Sequence, residues 1–189
     1  MTTESEDIRE RLASAETLIA DIHRAFPAKR DRFIGKLSNG ACEEQQAVVR
    51  DFDDKDDWTK IDPDWLNLAP EGLGSASSFL SAAALRFYLP AYLLADIHLK
   101  LTKIADPVFN LTHGFGEVDP DRPSKVSEAE SWKAQTKSIW ADLNSEQVNV
   151  IVNYLEWAAL WDDHNAEDIQ PALREYWYPR QAETLKESR

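Results

Sequence analysis

The sequence predicts an all-α fold, a single compact multi-helix domain over residues 1–189 around a central, proline-interrupted buried helix. Three observations predict it. Phe79 to Leu101, FLSAAALRFYLPAYLLADIHLKL, is a nearly unbroken apolar run. Toward both ends of the chain, apolar residues recur at steps of three and four, the spacing of one helix face. Alternation of β-branched with polar residues, the mark of a half-buried strand, is convincing nowhere. Only six Gly also speak against a many-turned β sandwich or a Gly-rich phosphate-binding fold.

Residues 1–27 read as an N-terminal amphipathic helix, clearest from about Glu4 to Phe26. Ile8, Leu12, Ala15, Ile19, Ile22 and Phe26 share a face that Leu18 widens. Glu4, Glu6 and Asp7 suit the positive end of the helix dipole, and Pro27 closes the element. Lys29 to Leu37 predicts a short helix ended by Ser38, Asn39 and Gly40. Cys42 to Phe52 predicts another, with Ala47, Val48 and Phe52 as its apolar side. The chain then turns acidic in DFDDKDDWTKIDPDWLNLAPEGLGS, a loop with short helical turns laid over the core by Trp58, Ile61, Trp65, Leu66 and Leu68. Ordered loops of this length often carry function.

Within the central run, Arg86, Asp96, His98 and Lys100 interrupt the apolar character too often for a membrane span. The run therefore reads as a buried helix or helix pair that Pro90 kinks or divides. A brief helical turn follows at Asp106 to Phe109, then a mobile surface loop, HGFGEVDPDRPSK. Glu128 to Leu143 resumes a helix with Trp132, Ile139, Trp140 and Leu143 apolar. Asn144 or Ser145 offers an N-cap for a stripe of Val148, Ile151, Val152, Leu155 and Ala159, ending near Trp161. Ala166 to Trp177 closes the fold, stopped by Pro179, with a charged, frayed tail from Arg180.

Hydrophobic residues at 43% and charged residues at 29% exclude wholesale disorder in a chain of 189 residues. Thirty-four acidic against 21 basic residues give a formal net charge of -13. Such a surface repels nucleic acid and anionic membranes, whose recognition rests on Lys and Arg, and favours a cationic partner. Acidity that merely keeps the protein in solution is the plainer reading of the same number. The one cysteine, Cys42, forms no internal disulfide, and MTTESEDIRERL lacks the basic and apolar regions of a secretory signal. A reducing cytoplasm is the expected location.

Phe52 and Trp58, then the segment Tyr88, Leu89, Pro90 and Ala91 within RFYLPAYLL, form an ordered series. It continues with SEQVNVIVNYLEW and a terminal element, Ala172, Leu173, Tyr176 and Trp177. In this order they resemble a family of small bacterial proteins classed as a domain of unknown function, over residues 52–177. The resemblance implies a shared fold and supplies no reaction and no catalytic set. It also carries an association with immunity-type proteins that neutralise toxins.

No catalytic residue is assigned. His23, His98, His113 and His164 form no HxxxH or HExxH pair, and Asp162, Asp163 and His164 read as a solvated helix end, so neither a metal nor a cofactor is implied. Asp51 to Asp62 superficially matches a calcium loop, but Lys55 stands at position five, Asp56 replaces the Gly at six and Asp62 replaces the closing Glu. There is no GxSxG elbow, Walker loop or dinucleotide fingerprint, and HGFG at His113 lacks the strand–turn–helix context of an oxyanion loop.

Two function classes can be argued from residues, beside a purely structural or scaffold role for or against which no residue speaks. The first is an acidic interaction module binding a basic protein partner, with toxin neutralisation as its narrower form. Asp51, Asp53, Asp54, Asp56 and Asp57 would steer the partner, and Trp58 or Trp65 would anchor it. The same residues could instead solvate a loop whose tryptophans pack inward. The second class is a small-molecule enzyme or ligand-binding protein with a pocket at the central helix, lined by Arg86, Tyr88, Tyr92 and His98. Arg86, set beside Phe87, would there hold an anion. Its plainer reading is a core-edge Arg paired to a carboxylate or carbonyl.

Overall fold

A computed structural model describes residues 3–31, 35–68, 79–101, 106–115, 123–161 and 163–187. The described residues are all-α, as the sequence predicts, with one isolated antiparallel bridge between Lys29 and Asp57. They divide into two compact units, Met1–Pro107 and Val108–Arg189.

In the first unit, the N-terminal stripe is two helices, α1 (Thr3–Ser14) and α2 (Glu16–Ala25), where one was expected. The break has a local cause. The Ser14 hydroxyl donates back to Arg11 O at 2.7 Å, and Ala15 N–H takes the tighter bond to Leu12 O at 3.1 Å. Ala15, Leu18 and Ile22 are buried, whereas Ile8 lies exposed. The helix expected from Lys29 to Leu37 does not form in its described part. Residues 29–31 run extended, and Arg30 N–H donates to Asp56 O at 2.7 Å. Residues 32–34 lie outside the described residues.

Helix α3 (Glu43–Phe52) begins with the Gln45 side chain accepting from Cys42 N–H. A 3-10 turn (Trp58–Lys60) and the short α4 (Pro63–Leu66) follow, as the punctuation of this stretch predicts. Leu68, expected against the core, is 66% exposed.

The central helix α5 (Ala82–Ile97) starts where Ser81 Oγ accepts from Ala84 N–H. It runs undivided through Pro90. A proline inside a helix costs about 3 kcal/mol, and the packing of α2, α4 and the 3-10 turn against a helix buried nearly all round offsets that cost. It ends in a left-handed residue, Leu99 at φ 56°, with Lys100 N–H closing onto Ala95 O.

The second unit comprises α6 (Pro107–Thr112), α7 (Pro123–Trp140), α8 (Ser145–Trp161), α9 (Asp163–Ala172) and α10 (Tyr178–Glu187). Helix α8 packs against α9 and α10. Its N-cap is Asn144, whose side chain accepts from Gln147 N–H while the Gln147 side chain accepts from Asn144 N–H. Two buried indoles satisfy carbonyls at the end of α6: Trp140 donates to Asn110 O and Trp177 to Leu111 O at 2.9 Å. Trp132, expected on an apolar face, is 44% exposed.

Pro179 does not stop the closing helix. A π turn over Leu173–Trp177, in which Tyr178 N–H reaches back to Leu173 O, absorbs the register. Pro179 then falls in the first turn of α10, where no N–H is needed. The tail expected to fray is helical to Glu187, tied down by Arg180 donating to Ala141 O and by the buried Thr184.

Candidate functional site

The acidic turn after α3 is held from two sides within the first unit. On one side lies the segment 27–30, which bends at Ala28 and bridges to Asp57 at Lys29. Trp58 donates its backbone N–H to Ala28 O and its indole N–H to Pro27 O at 2.7 Å, and the Arg30 guanidinium donates to Asp53 O at 2.7 Å. On the other side is α5. The buried Tyr88 hydroxyl donates to Lys55 O at 2.7 Å and to Phe52 O at 3.2 Å. Burial pushes this phenol up to about 12; Arg30 opposes the shift, and Asp54, Asp56 and Asp53 add to it.

The chain from 35 to 40 supplies a further wall. Gly35 takes φ +88°, a left-handed turn suited to glycine, and Leu37 O accepts from Ser81 N–H at the head of α5. Between these parts opens a cavity of about 800 Å³. Arg30, Asp31 and residues 35–38 and 40 line one side; Val49, Asp53, Asp54 and Asp56 line the other. Four carboxylates thus face two cations, Arg30 and Lys36.

The five aspartates expected to steer a partner separate into different roles. Asp53, Asp54 and Asp56 are exposed and share the cavity. Asp54 is paired with Lys55, whose hydrogen bond lowers its carboxyl below the ordinary range. The side chains of Asp53 and Asp56 accept no hydrogen bond and form no ion pair among the described residues. Asp51 is half-buried and outside the cavity lining.

Asp57 departs from the expectation because its carboxylate is already used. It is 8% exposed, caps the 3-10 turn through Thr59 N–H and Thr59 Oγ1, and pairs with Lys60 at 3.1 Å. These bonds, Thr59 first, hold its carboxyl below the usual range.

The expected tryptophan anchors point inward. Trp58 is 2% exposed and stacks on His23 with ring centres 5.3 Å apart. Trp65 is half-buried, edge-on to Phe52 at 4.9 Å, with Lys55 Nζ 4.9 Å above its ring. Their apolar area stabilises the turn from beneath and leaves none for a partner at Trp58.

The residues of the expected central-helix pocket do not line this cavity. Arg86 is half-buried, and Tyr88 is a core residue bonded as above. Tyr92 is 2% exposed, with a hydroxyl that has no hydrogen-bond partner and is pushed far above its ordinary range by burial. His98 is the exposed C-cap of α5.

Among the described residues, no group of three His, Cys, Asp or Glu side chains could hold a metal. Asp162 lies outside the described residues, and only the backbone of Asp163 and His164 is described. The faint HGFG signal resolves into aromatic packing. His113 lies between Phe109 and Trp132 at 4.6 and 4.7 Å, and burial lowers its imidazole below the ordinary value. Gly116 of that motif lies outside the described residues.

Arg30, Lys36, Ser38 and Val49 belong to the site and were not singled out by sequence. The only trace of them was the Ser38–Asn39–Gly40 breaker, which marks the bend of the cavity wall.

A family model described as a family of unknown function, DUF6714, matches residues 38–181. The chain belongs to this family. The match starts earlier than the resemblance read from the sequence, takes in α3, and leaves α1 and α2 outside. No curated protein and no solved structure matches the chain. No helix among the described residues is long and apolar enough to cross a membrane.

Proposed function

We propose that the protein is an acidic interaction module that binds a basic protein partner in the cytoplasm through the turn after α3. The observation that carries this reading is the placement of Asp53 and Asp56. Both are exposed, have no hydrogen bond or ion pair on their side chains among the described residues, and share one concavity with Arg30 and Lys36 in a chain with net charge -13. Carboxylates in a concave site focus their field and speed the encounter with a cation. The turn that carries them is held by Arg30 and Tyr88, so the charges are presented without further ordering. Nucleic acid and anionic membrane are disfavoured by the same charge. Neutralisation of a bacterial toxin is the narrower form of this reading, resting on a general likeness of the sequence to small bacterial immunity-type proteins. The exposed, unpaired Cys42 fits a reducing compartment.

The test is retention of native-host basic proteins at low salt on immobilised wild-type protein and on the D53K/D56K variant. A stoichiometric basic protein held by the wild type, released by salt and absent from the variant supports the reading. Equal retention by both, or none by either, refutes it. The narrower form is tested by expressing the captured protein in a host with and without this chain: growth arrest that the chain relieves supports neutralisation.

A further inference from the structure

We infer that the outer face of α8 and α10 is where a second copy of this chain docks, about a two-fold axis. On α10, Tyr178, Ala182 and Leu185 follow at steps of four and three and are exposed, whereas Thr184 on the other side is buried. On α8, Asn153, Glu156 and Leu160 form the matching exposed row. Leu160, at 78%, is the most exposed large apolar side chain among the described residues. Two hydrogen bonds of 2.9 Å set the rows side by side and antiparallel: the Tyr178 hydroxyl donates to Glu156 Oε1, and Gln181 Nε2 donates to Asn149 Oδ1. Leu160, one turn beyond Glu156, therefore lies past the Tyr178 end, and Leu185 lies at the opposite end.

An exposed apolar row does not name its occupant, but the order within this one does. It runs Leu160, Tyr178, Ala182, Leu185, with a leucine at each end and a large side chain beside a small one between them. A two-fold axis between Tyr178 and Ala182 sets Leu160 of one copy against Leu185 of the other. It also seats each Tyr178 ring over the space left at Ala182. The same operation brings Lys186, exposed and in no ion pair among the described residues, toward Glu156, whose Oε2 takes no part in the Tyr178 bond. Glu183 is answered within each copy by Arg180 at 3.7 Å. Glu146, toward the Leu185 end, and the net charge of -13 oppose the pairing, so added salt strengthens it. Four side chains per copy make a smaller contact than the roughly 800 Å² per partner of a standard interface, and the dimer is accordingly weak.

The experiment is sedimentation equilibrium of the full chain over rising protein concentration, at low and at high salt. The wild type should give a monomer–dimer equilibrium that stops at the dimer, because a two-fold contact closes on itself. L160S and L185S should each weaken it by at least about tenfold, since each removes two leucine contacts per dimer. A182L keeps a good helix former and adds apolar surface, yet it should weaken the dimer by filling the seat of the Tyr178 ring. K186E and E156K should each weaken it alone, and their equimolar mixture should associate more tightly than either. Circular dichroism matching the wild type shows that each variant folds.

A wild type that stays monomeric at every concentration up to about 1 mM at high salt overturns the inference. Growth past the dimer, or association unchanged in L160S and L185S, overturns it as well. Tighter association of A182L points to unspecific apolar contact and overturns the two-fold seat, as does a charge-swapped mixture no tighter than its components.

Discussion

Replacing Tyr88 with Phe isolates the contact that fixes the acidic turn to the central helix. The ring stays, packed edge-on to Phe52 at 4.7 Å and Phe87 at 4.9 Å, so no cavity opens. The hydroxyl is lost, and its two acceptors fare differently. Phe52 O keeps a partner, because Lys55 N–H also donates to it at 3.1 Å. Lys55 O loses the 2.7 Å bond from Tyr88. Lys55 O is only part-buried, so the loss is that of one net hydrogen bond, about 0.5–1.5 kcal/mol. Urea unfolding at pH 7 should show this loss with an unchanged slope against denaturant.

The pH dependence gives a second, independent check. In the unfolded chain the phenol ionises near 10, and in the folded protein it holds its proton up to about 12. Between those values the unfolded state binds fewer protons than the native state, so wild-type stability falls as pH rises. The contribution is full below 10 and gone above the folded value, a change of roughly 2–3 kcal/mol. Y88F lacks that slope; Tyr176 is raised by burial in both proteins, while Tyr92 loses the part of its upward shift that comes from the Tyr88 charge. The two stability curves should therefore converge between pH 10 and 12. A variant as stable as wild type at pH 7 would refute the argument that Tyr88 holds the turn, and a constant gap across the alkaline range would refute the burial of its phenol.

Gly114 sits at φ +87°, and a Cβ there would meet Lys133 N at 2.6 Å and Trp132 C at 2.9 Å, both backbone atoms. G114A should therefore lose at least roughly 2 kcal/mol in urea unfolding. D57N should lower the melting temperature at neutral pH, and the deficit should vanish as pH falls through the lowered Asp57 value, because Asp57 contributes only when ionised. A deficit that persists in acid would show that the Thr59 and Lys60 bonds are not its source. Leu160, 78% exposed on α8, should accept Ser within about 0.5 kcal/mol by the same assay.

The elements that the sequence made legible are those whose burial is written in a local period. Helix α8 falls where Val148, Ile151, Val152 and Leu155 repeat, and all four are buried. Helix α5 follows from its length of apolar chain alone. Local period fails where a single polar bond redirects the backbone. Ser14 breaks the first helix by bonding back to Arg11, a choice that the Ile8-to-Phe26 stripe does not encode. It fails again at Pro179, a helix stop under every local rule, because the π turn just before it shifts the proline into a first turn. The apolar content of Trp132 predicts burial, yet this side chain stands half outside, against His113.

The candidate site was legible only in its charge. Five aspartates within seven residues stand out in the sequence, and three of them line the cavity. What separates those three from Asp57 is a hydrogen bond to Thr59, and what removes Trp58 from the surface is a bond to Pro27, thirty-one positions away. The opposite wall is equally non-local. Arg30 reaches Asp53 across twenty-three positions, and Leu37 is fixed by Ser81 from the far side of α3. Composition therefore locates an acidic surface, while only the folded backbone turns it into a concavity. The same separation explains why the aromatic residues of the acidic loop misdirect a reading based on interface composition. Tryptophan beside aspartate signals an anchor when both face outward, but here Trp58 is buried and Trp65 is half-buried, edge-on to Phe52. The apolar half of the loop thus packs inward at Trp58, while Asp53 and Asp56 stay exposed.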